Sequence, residues 1–211
     1  DWLERWKEAP SVEYIVPNRE VRLSAVVNDP LFERQNYLQQ IRAPEAWSYA
    51  QATDSLTIAV IDTGVDLDHP DLKDNLVAGV NLIQTDAAPR DDNGHGTKVA
   101  GVLAAVGNNN EGVAGMLWKA NIMPIKALDA SGRGDEDKLG EAIRYAVDHG
   151  AKIVVLSVGL TRDDPFLREV VQYAEQKGVL LVAATGNDEG RNVRYPAAYP
   201  TVLAVGGVLS G

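Results

Sequence analysis

The chain contains no cysteine and few residues of positive charge. Without cysteine, disulfide bonds, thiolate catalysis and cysteine-ligated zinc are excluded. No apolar stretch approaches the roughly 20 residues that a membrane helix requires, so we expect no membrane span. Among 211 residues, 20 Lys and Arg stand against 30 Asp and Glu, which gives a net charge of −10. A nucleic-acid partner is therefore not expected, because no basic face is available to neutralise phosphates.

Apolar runs alternate with helical patterns along most of the chain. Strands are predicted at 57–62, 122–128, 152–157 and 179–184, and helices at 38–50, 95–106, 135–149 and 165–177. Strands that alternate with helices of ten or more residues indicate βαβ units and a parallel sheet. The pattern therefore predicts an α/β fold.

Two short motifs are candidates for chemistry. Asp62 ends the first predicted strand and is followed by Thr-Gly, and His95 lies between two glycines at the start of a small-residue helix. Asp and Gly commonly begin turns, so Asp62 alone would indicate a turn. A carboxylate that accepts the imidazole Nδ1 proton, however, leaves Nε2 able to take a proton from a nucleophile. Together the two motifs predict two members of a catalytic triad.

Asn187 follows the predicted strand 179–184 in the sequence Val-Ala-Ala-Thr-Gly-Asn. An amide at the end of a buried strand is a good donor to a developing oxyanion. Taken alone, an Asn after Gly is more simply a turn residue. The other two histidines, His69 and His149, have structural explanations in an acidic turn and at a helix C-terminus.

Asp-Thr-Gly at 62–64, His-Gly-Thr at 95–97 and Ala-Thr-Gly-Asn at 184–187 resemble, in this order and spacing, the subtilisin-like serine peptidases. Further matches at 28–30, 41–44, 69–72, 131–134 and 195–197 extend the resemblance over residues 28–211. The resemblance implies a three-layer fold around a central parallel sheet and a serine endopeptidase activity. It also implies that Asp62 orients the base, that His95 is the general base and then acid, and that Asn187 is the oxyanion donor.

The same resemblance implies a cleft for a protein or peptide substrate, held by main-chain hydrogen bonds between two rims. The rims would be formed by Gly132, Arg133 and Gly134 and by Ser157, Val158 and Gly159. The pocket for the side chain before the scissile bond would be lined by Ala183, Ala184 and Gly186. Their small size predicts a roomy apolar pocket, and Arg133 at the outer subsites predicts a mild preference for acidic substrate residues.

A structural calcium ion is also implied by the resemblance. Side-chain oxygens would come from Asp29, Asp71 and Asn109, and carbonyl oxygens from Val106, Glu111 and Val113. Such an all-oxygen shell suits a hard cation. Asn-rich loops are also good turn formers, which is the alternative explanation for the loop 106–113.

The resemblance divides the chain into two segments. Residues 1–24, with a helix at 1–8 and a strand at 12–16, resemble the C-terminal part of the family's inhibitory propeptide, and residues 25–211 the N-terminal part of the peptidase domain. In the family the propeptide assists folding and occupies the cleft before it is removed. A zymogen with its own propeptide as partner is therefore expected, and so is secretion, with the signal segment outside this chain.

The family's nucleophile is a serine in a Gly-Thr-Ser-Met-Ala-like motif, and no serine of this chain lies in such a context. We expect that serine beyond this chain, and we expect this chain alone to be inactive and poorly stable. Two hypotheses remain: a secreted, calcium-stabilised serine endopeptidase, or a catalytically inactive peptide-binding pseudoprotease that ends at Gly211. An aspartic protease needs an all-β fold with two Asp-Thr-Gly loops, and a nucleotide-binding protein needs a Gly-x-Gly-x-x-Gly that is absent.

Overall fold

The computed structural model describes residues 10–13, 15, 27–187 and 192–208. The helix predicted at 1–8 lies outside these residues, and the strand predicted at 12–16 is described only in part. The division into segments 1–24 and 25–211 therefore stays a prediction.

Five helices and six strands are found in the described ranges. The helices are α1 (Asn36–Gln40), α2 (Ala43–Trp47), α3 (His95–Ala104), α4 (Glu136–Asp148) and α5 (Pro165–Gln176). The strands are β1 (Ala52–Asp62), β2 (Val80–Asn81), β3 (Lys119–Lys126), β4 (Ile153–Leu156), β5 (Leu180–Ala184) and β6 (Leu203–Val205). Single turns of 3₁₀ helix occur at Phe32–Arg34 and Lys73–Asn75.

The six strands form one sheet in the order β2-β3-β1-β4-β5-β6, and every neighbouring pair is parallel. The predicted α/β fold with a parallel sheet is thus confirmed. From β1 the chain proceeds to β2 and then β3 on one side, and from β3 it crosses to β4 on the other side of β1. The carboxyl end of β1 is therefore a point where the strand order reverses, and crevices for ligands form at such points.

Alternate residues of β1 face opposite layers of the fold. Ala59 and Ile61 belong to the main core, in which residues of α4 and α5 also pack. Ile58 and Val60 belong to a second cluster with Ala104 of α3. Because successive side chains of a strand point to opposite faces, one helix covers one face of the sheet and two helices cover the other. The result is the expected three-layer arrangement.

Local sequence explains where the long helices begin. Asp135 precedes α4 and accepts a hydrogen bond from the backbone N–H of Lys138, and Asp164 precedes α5 and accepts one from Leu167. Each side chain satisfies an N–H that has no partner within its helix. Pro165 occupies the first position of α5, where a missing N–H has no cost.

Two details differ from the sequence prediction. The helix predicted at 38–50 is instead two short helices, because Arg42 takes a left-handed conformation with φ of 57°, and Pro44 is the second residue of the second helix. Strands β2 and β6 were not predicted, since two or three residues are too few to display a period. Within the described residues no helix has the length and apolar character needed to cross a bilayer.

Asn75 joins three parts of the fold beneath the sheet. It is 3 % exposed, its amide nitrogen donates to the carbonyls of Ala104 at 2.9 Å and Trp118 at 3.2 Å, and its amide oxygen accepts from the N–H of Ala120 at 3.2 Å. These bonds connect the end of α3 to the start of β3. Because these contacts are buried, water cannot replace the Asn75 side chain as the hydrogen-bond partner of the three backbone groups.

We predict that Asn75→Ala lowers the free energy of unfolding by about 2–3 kcal/mol, because three buried backbone groups lose their partner. Urea denaturation of the wild type and the variant measures the difference. Gln172→Ala, at an exposed position of α5, is the matched control and is expected to change stability by less than about 0.5 kcal/mol. Equal effects of the two substitutions would contradict the role given to Asn75.

Candidate active site

Asp62 and His95 form a close pair at the carboxyl end of β1. Nδ1 of His95 lies 2.7 Å from Oδ1 and 2.9 Å from Oδ2 of Asp62. The carboxylate is buried, with 1 % exposure, whereas the imidazole is 51 % exposed. An Nδ1–H that donates to a carboxylate fixes the tautomer and leaves Nε2 as the basic nitrogen. The arrangement presents a basic nitrogen to the solvent side of a buried negative charge.

Gly96 permits the approach of α3 to β1 that this pair requires. A Cβ atom at position 96 would lie 2.1 Å from the carbonyl oxygen of Gly64 and 3.0 Å from Cβ of Asp62. The backbone N–H of Gly96 donates to Oγ1 of Thr63 at 3.0 Å, and the N–H of Thr63 donates to Oδ1 of Asp62 at 2.7 Å. The absence of a side chain at Gly96 therefore determines the position of His95 relative to Asp62.

Asp91 holds together the two loops that carry this pair. Its carboxylate accepts from Oγ1 of Thr63 at 2.8 Å and from Oγ1 of Thr97 at 2.5 Å. It also accepts from the backbone N–H groups of Asn93, Gly94 and Thr97 at 3.0, 2.8 and 2.9 Å. Sequence reasoning did not single out Asp91, although it lies only four residues before His95.

The surroundings of Asp91 favour its ionised form. Burial alone would raise the pKa of this carboxyl, but the hydrogen bonds from Thr97, Gly94 and Asn93 outweigh burial and lower the pKa from 3.8 to about 2. A carboxylate that accepts several N–H and O–H groups is stabilised in its charged form. Asp91 therefore remains an ionised acceptor at neutral pH.

Lys126 ties the end of β3 to the same loops. It is 3 % exposed, and Nζ donates to the carbonyl oxygens of Thr63 at 2.7 Å and Leu128 at 3.0 Å and to Oδ1 of Asp92 at 2.6 Å. A buried ammonium needs such a full set of acceptors and a counter-charge. Sequence reasoning also missed Lys126, because a lysine inside an apolar strand gives no signal of the loops that it will meet.

A cleft of about 510 Å³ opens beside His95. Both predicted rims line it: Gly132, Arg133 and Gly134 on one side, and Ser157, Val158 and Gly159 on the other. The first rim is a tight turn in which Oδ1 of Asp129 accepts from the N–H groups of Ser131 and Arg133 at 2.8 and 3.0 Å. The structure thus brings the six rim residues and His95 to one cavity.

The three small residues predicted to line the side-chain pocket do not border this cleft. Ala183 is 1 % exposed and packs in the main core, and Ala184 and Gly186 are likewise absent from the cleft's lining. Asn187 is exposed and lies three residues past the end of β5, also outside that lining.

A charged side chain lies beside Gly186. The side chain of Arg194 lies against it, such that a Cβ at Gly186 would be 3.0 Å from Cδ of Arg194. The pocket lined by Ala183, Ala184 and Gly186 stays a prediction, and the structure adds that a residue further along the chain packs beside Gly186. Sequence reasoning did not consider Arg194.

The six residues predicted as calcium ligands meet in one loop cluster. Asp29 and Asp71 are 4 % and 1 % exposed. Asn109 donates to both of them, through its backbone N–H to Oδ1 of Asp29 at 3.3 Å and through its amide nitrogen to Oδ1 of Asp71 at 2.8 Å. The N–H of Val113 donates to Oδ2 of Asp71 at 2.9 Å, that of Val106 to the carbonyl of Asp71 at 2.8 Å, and that of Glu111 to Oδ1 of Asn109 at 2.9 Å.

This donor set is compatible with a hard cation. The buried carboxylates of Asp29 and Asp71 both accept hydrogen bonds from the loop 106–113. Across the described ranges the structure shows no salt bridge between a lysine or arginine and either carboxylate. Over the same ranges no group of three or more His, Cys, Asp or Glu side chains could hold a metal, so a cation here would need amide and carbonyl oxygens as well.

The comparison with protein families agrees with this geometry. The model of the subtilase family matches residues 53–210, which is most of the chain. The chain therefore belongs to the subtilase family, and the subtilisin-like fold is confirmed.

Several relatives are known proteases. Thermitase of Thermoactinomyces vulgaris is 43 % identical over 179 residues, which cover 84 % of this chain and 64 % of thermitase. The minor extracellular protease Epr of Bacillus subtilis (strain 168) is 41 % identical over 175 residues, 82 % of this chain and 26 % of Epr. The major intracellular serine protease of the same organism is 38 % identical over 205 residues, 90 % of this chain and 64 % of that protease. The chain thus spans less than two thirds of each of these relatives.

We predict that Asp91 makes the free energy of unfolding depend on pH below about pH 4. Because the folded-state pKa lies below the ordinary 3.8, the ionised carboxylate stabilises the fold above about pH 4, and this contribution is lost as the pH falls towards about 2. Urea unfolding across this pH interval should show a smaller loss of unfolding free energy for Asp91→Asn than for the wild type. Asp86→Asn, which removes an exposed carboxylate after β2, is expected to behave as the wild type. Indistinguishable pH profiles for all three proteins would contradict the prediction.

Proposed function

We propose that this chain supplies the acid-base part of a serine endopeptidase active site. The observation that carries the proposal is the pair formed by Asp62 and His95, with Nδ1 2.7 Å from the carboxylate, at the edge of an open cleft. Membership of the subtilase family and the relatives named as serine proteases support the same activity. The nucleophilic serine would come from a segment outside the present sequence.

In this mechanism Asp62 accepts the Nδ1–H of His95 and keeps Nε2 basic. Nε2 takes the proton of the serine hydroxyl as its oxygen attacks the scissile carbonyl, and Asp62 stabilises the imidazolium that results. The imidazolium then gives the proton to the leaving amine, and a water molecule repeats the cycle to release the acyl group. The burial of Asp62 strengthens this stabilisation, because little solvent screens its charge.

Asn187 would donate its amide N–H to the oxyanion of each tetrahedral intermediate. Its exposed position just after β5, at the same edge of the sheet as Asp62, supports this role. A donor aimed at the developing negative charge is worth about 10²–10³ in rate.

The substrate would be an extended protein or peptide segment between the rims 132–134 and 157–159. Both rims lie beside His95, and the turn at Asp129 holds the first in place. Main-chain hydrogen bonds of this kind bind many sequences, while side-chain pockets provide selectivity.

The proposal also covers the N-terminal segment and the location of the protein. Residues 1–24 would be the end of an inhibitory propeptide that assists folding and then leaves the cleft. Relatives include proteases named as extracellular and as intracellular, and the proposed location of this protein is extracellular.

Labelling of the full natural protein that carries this chain, by a serine-directed phosphonate, tests the mechanism. Labelling and peptide hydrolysis should disappear in His95→Ala, and Asp62→Asn should lower kcat by about 10⁴ with little change in KM, since it leaves the wrong tautomer. His149→Gln, at the exposed end of α4, is the matched control and should retain both activities.

Two outcomes would contradict this assignment. Undiminished labelling of His95→Ala would remove His95 as the base. A wild-type protein that binds peptides but is neither labelled nor able to hydrolyse them would support the alternative function, a catalytically inactive peptide-binding pseudoprotease.

A structural calcium ion is part of the proposed function. Asp29, Asp71 and Asn109 would provide side-chain oxygens, and Val106, Glu111 and Val113 carbonyl oxygens. The burial of both carboxylates and their shared contact with Asn109 support this role. In this structure the amide nitrogen of Asn109 faces Asp71. To bind a cation there, the amide of Asn109 would have to turn so that its oxygen replaces its nitrogen. The ion would neutralise two buried negative charges and join the loop 106–113 to the start of the domain.

We predict that excess chelator lowers the Tm of the wild-type protein. Calcium at one hundred times its Kd stabilises a protein by about 2.7 kcal/mol, which corresponds to roughly 5–10 °C for a chain of this size. Asp71→Asn should lose the response to chelator, and Asp74→Asn, an exposed carboxylate three residues away, should keep it. A Tm that chelator leaves unchanged in the wild type would remove the calcium proposal.

A further inference from the structure

Lys126 is a buried charge that lies beside Asp62 in the sheet. The two residues are partners in the register of the parallel strands β3 and β1. The side chain of Lys126 is 4 % exposed, and that of its counter-charge, Asp92, is 52 % exposed. Replacing a buried ion pair with apolar side chains is often neutral for stability, so stability alone is a weak explanation for a charge at this position.

The ammonium of Lys126 connects three loops at the carboxyl ends of the strands. Nζ donates to the carbonyl of Thr63 at 2.7 Å, directly after β1, and to Oδ1 of Asp92 at 2.6 Å, in the loop that leads to His95. It also donates to the carbonyl of Leu128 at 3.0 Å, at the start of the loop that forms the first rim of the cleft. An ammonium has three N–H donors, so these three contacts use all of them.

The loop of His95 and the loop of the rim are connected a second time. The amide nitrogen of Asn93 donates to the carbonyl of Ala130 at 2.9 Å, and its amide oxygen accepts from the backbone N–H of His95 at 3.2 Å. Ala130 lies in the turn 129–133, which is closed by a backbone hydrogen bond of 2.8 Å from Asp129 to Arg133. The position of the rim relative to His95 is therefore set by polar contacts between these two loops.

We infer that Lys126 is a positioning residue that keeps the substrate rim 132–134 aligned with the base His95. The inference rests on the proposed function, in which an extended substrate lies along this rim while His95 acts at the scissile bond. Contacts at the rim then place the scissile bond relative to Nε2, so that binding energy from remote substrate residues increases kcat. Lys126 does not line the cleft and acts only through the loops that it joins.

The N–H donors of Lys126 carry this role, because its stem alone cannot join the loops. Methionine has an unbranched stem without N–H groups, so Lys126→Met would leave two carbonyls and the carboxylate of Asp92 without their shared donor. The loops could then separate, and a misplacement of about 1 Å at the reacting atoms can cost about 100-fold in rate.

Two parts of the site do not depend on Lys126. The rim keeps its own turn, because the hydrogen bonds of that turn lie within residues 129–133. The pair of Asp62 and His95 keeps its geometry, because Asp91 joins the loops on both sides of it. Substrate binding and the chemistry of the pair should therefore survive in Lys126→Met, while the alignment between them is lost.

The test uses the full natural protein and two substrates with the same leaving group: a peptide long enough to span the rim, and a single acylated residue that does not reach it. Phosphonate titration gives the concentration of active sites, so that unfolded protein does not enter kcat. The wild type should have the higher kcat for the long substrate. Lys126→Met should lower kcat for the long substrate about 10- to 100-fold with little change in KM, and for the short substrate by less than about threefold.

Asp92→Ala removes the same connection from its exposed end, and it decides the question if Lys126→Met does not fold. It should lower the ratio of the long-substrate kcat to the short-substrate kcat. The double variant should lose no more than Lys126→Met alone, because the two substitutions break the same contact. Lys177→Met, at the exposed end of α5, removes a lysine charge elsewhere and should leave both kcat values unchanged.

Several outcomes would overturn the inference while the proposed function stands. Equal losses of kcat for the two substrates in Lys126→Met would mean that Lys126 acts on the pair of Asp62 and His95 rather than on the rim. A rise of KM with unchanged kcat would mean that the rim binds substrate without aligning it. A wild-type kcat that is no higher for the long substrate, or an unchanged ratio in Asp92→Ala, would have the same consequence.

A different result would overturn the proposed function itself. A wild type that is neither labelled by the phosphonate nor able to cleave either substrate has no active base to align, and the inference would then fall with the proposed function.

Discussion

The close approach of α3 to the end of β1 is the constraint on which the site depends. Gly96 meets the carbonyl of Gly64 where any larger residue would collide, and only this approach brings His95 to the carboxylate of Asp62. Asp91 then maintains the approach, because its carboxylate bonds both to Thr63 beside Asp62 and to Thr97 beside His95. A glycine determines how near the two elements come, and a half-buried acceptor prevents them from separating.

Sheet topology explains why this contact lies at an open cleft. The chain leaves β1 towards β3 on one side and returns to β4 on the other, so the loops after β1, β3 and β4 diverge around the end of β1. Lys126 joins two of these loops by bonding to the carbonyls of Thr63 and Leu128. The site is consequently made of loops that are held together by polar contacts.

The sequence was sufficient to predict the long strands and helices and the candidate catalytic residues at their ends. Apolar runs of four to six residues mark β1, β3 and β5, and the motifs around Asp62 and His95 stand where β1 ends and where α3 begins. It was not sufficient for β2 and β6, which are too short to show a period, nor for the break at Arg42. Short strands are determined by the neighbours with which they pair, and those neighbours are distant in the chain.

The same reasoning explains why Asp91, Lys126 and Arg194 escaped sequence analysis. Each of them also contacts residues that are distant in the chain, and its neighbours in the sequence do not indicate those contacts. The pocket prediction illustrates the difficulty most clearly. Small residues at a strand end indicate available space, but they do not indicate what fills it, and here the side chain of Arg194 packs on Gly186 and Gly159. A pattern of small residues near a strand end therefore predicts where space exists, whereas the side chain that fills the space depends on contacts between distant parts of the chain.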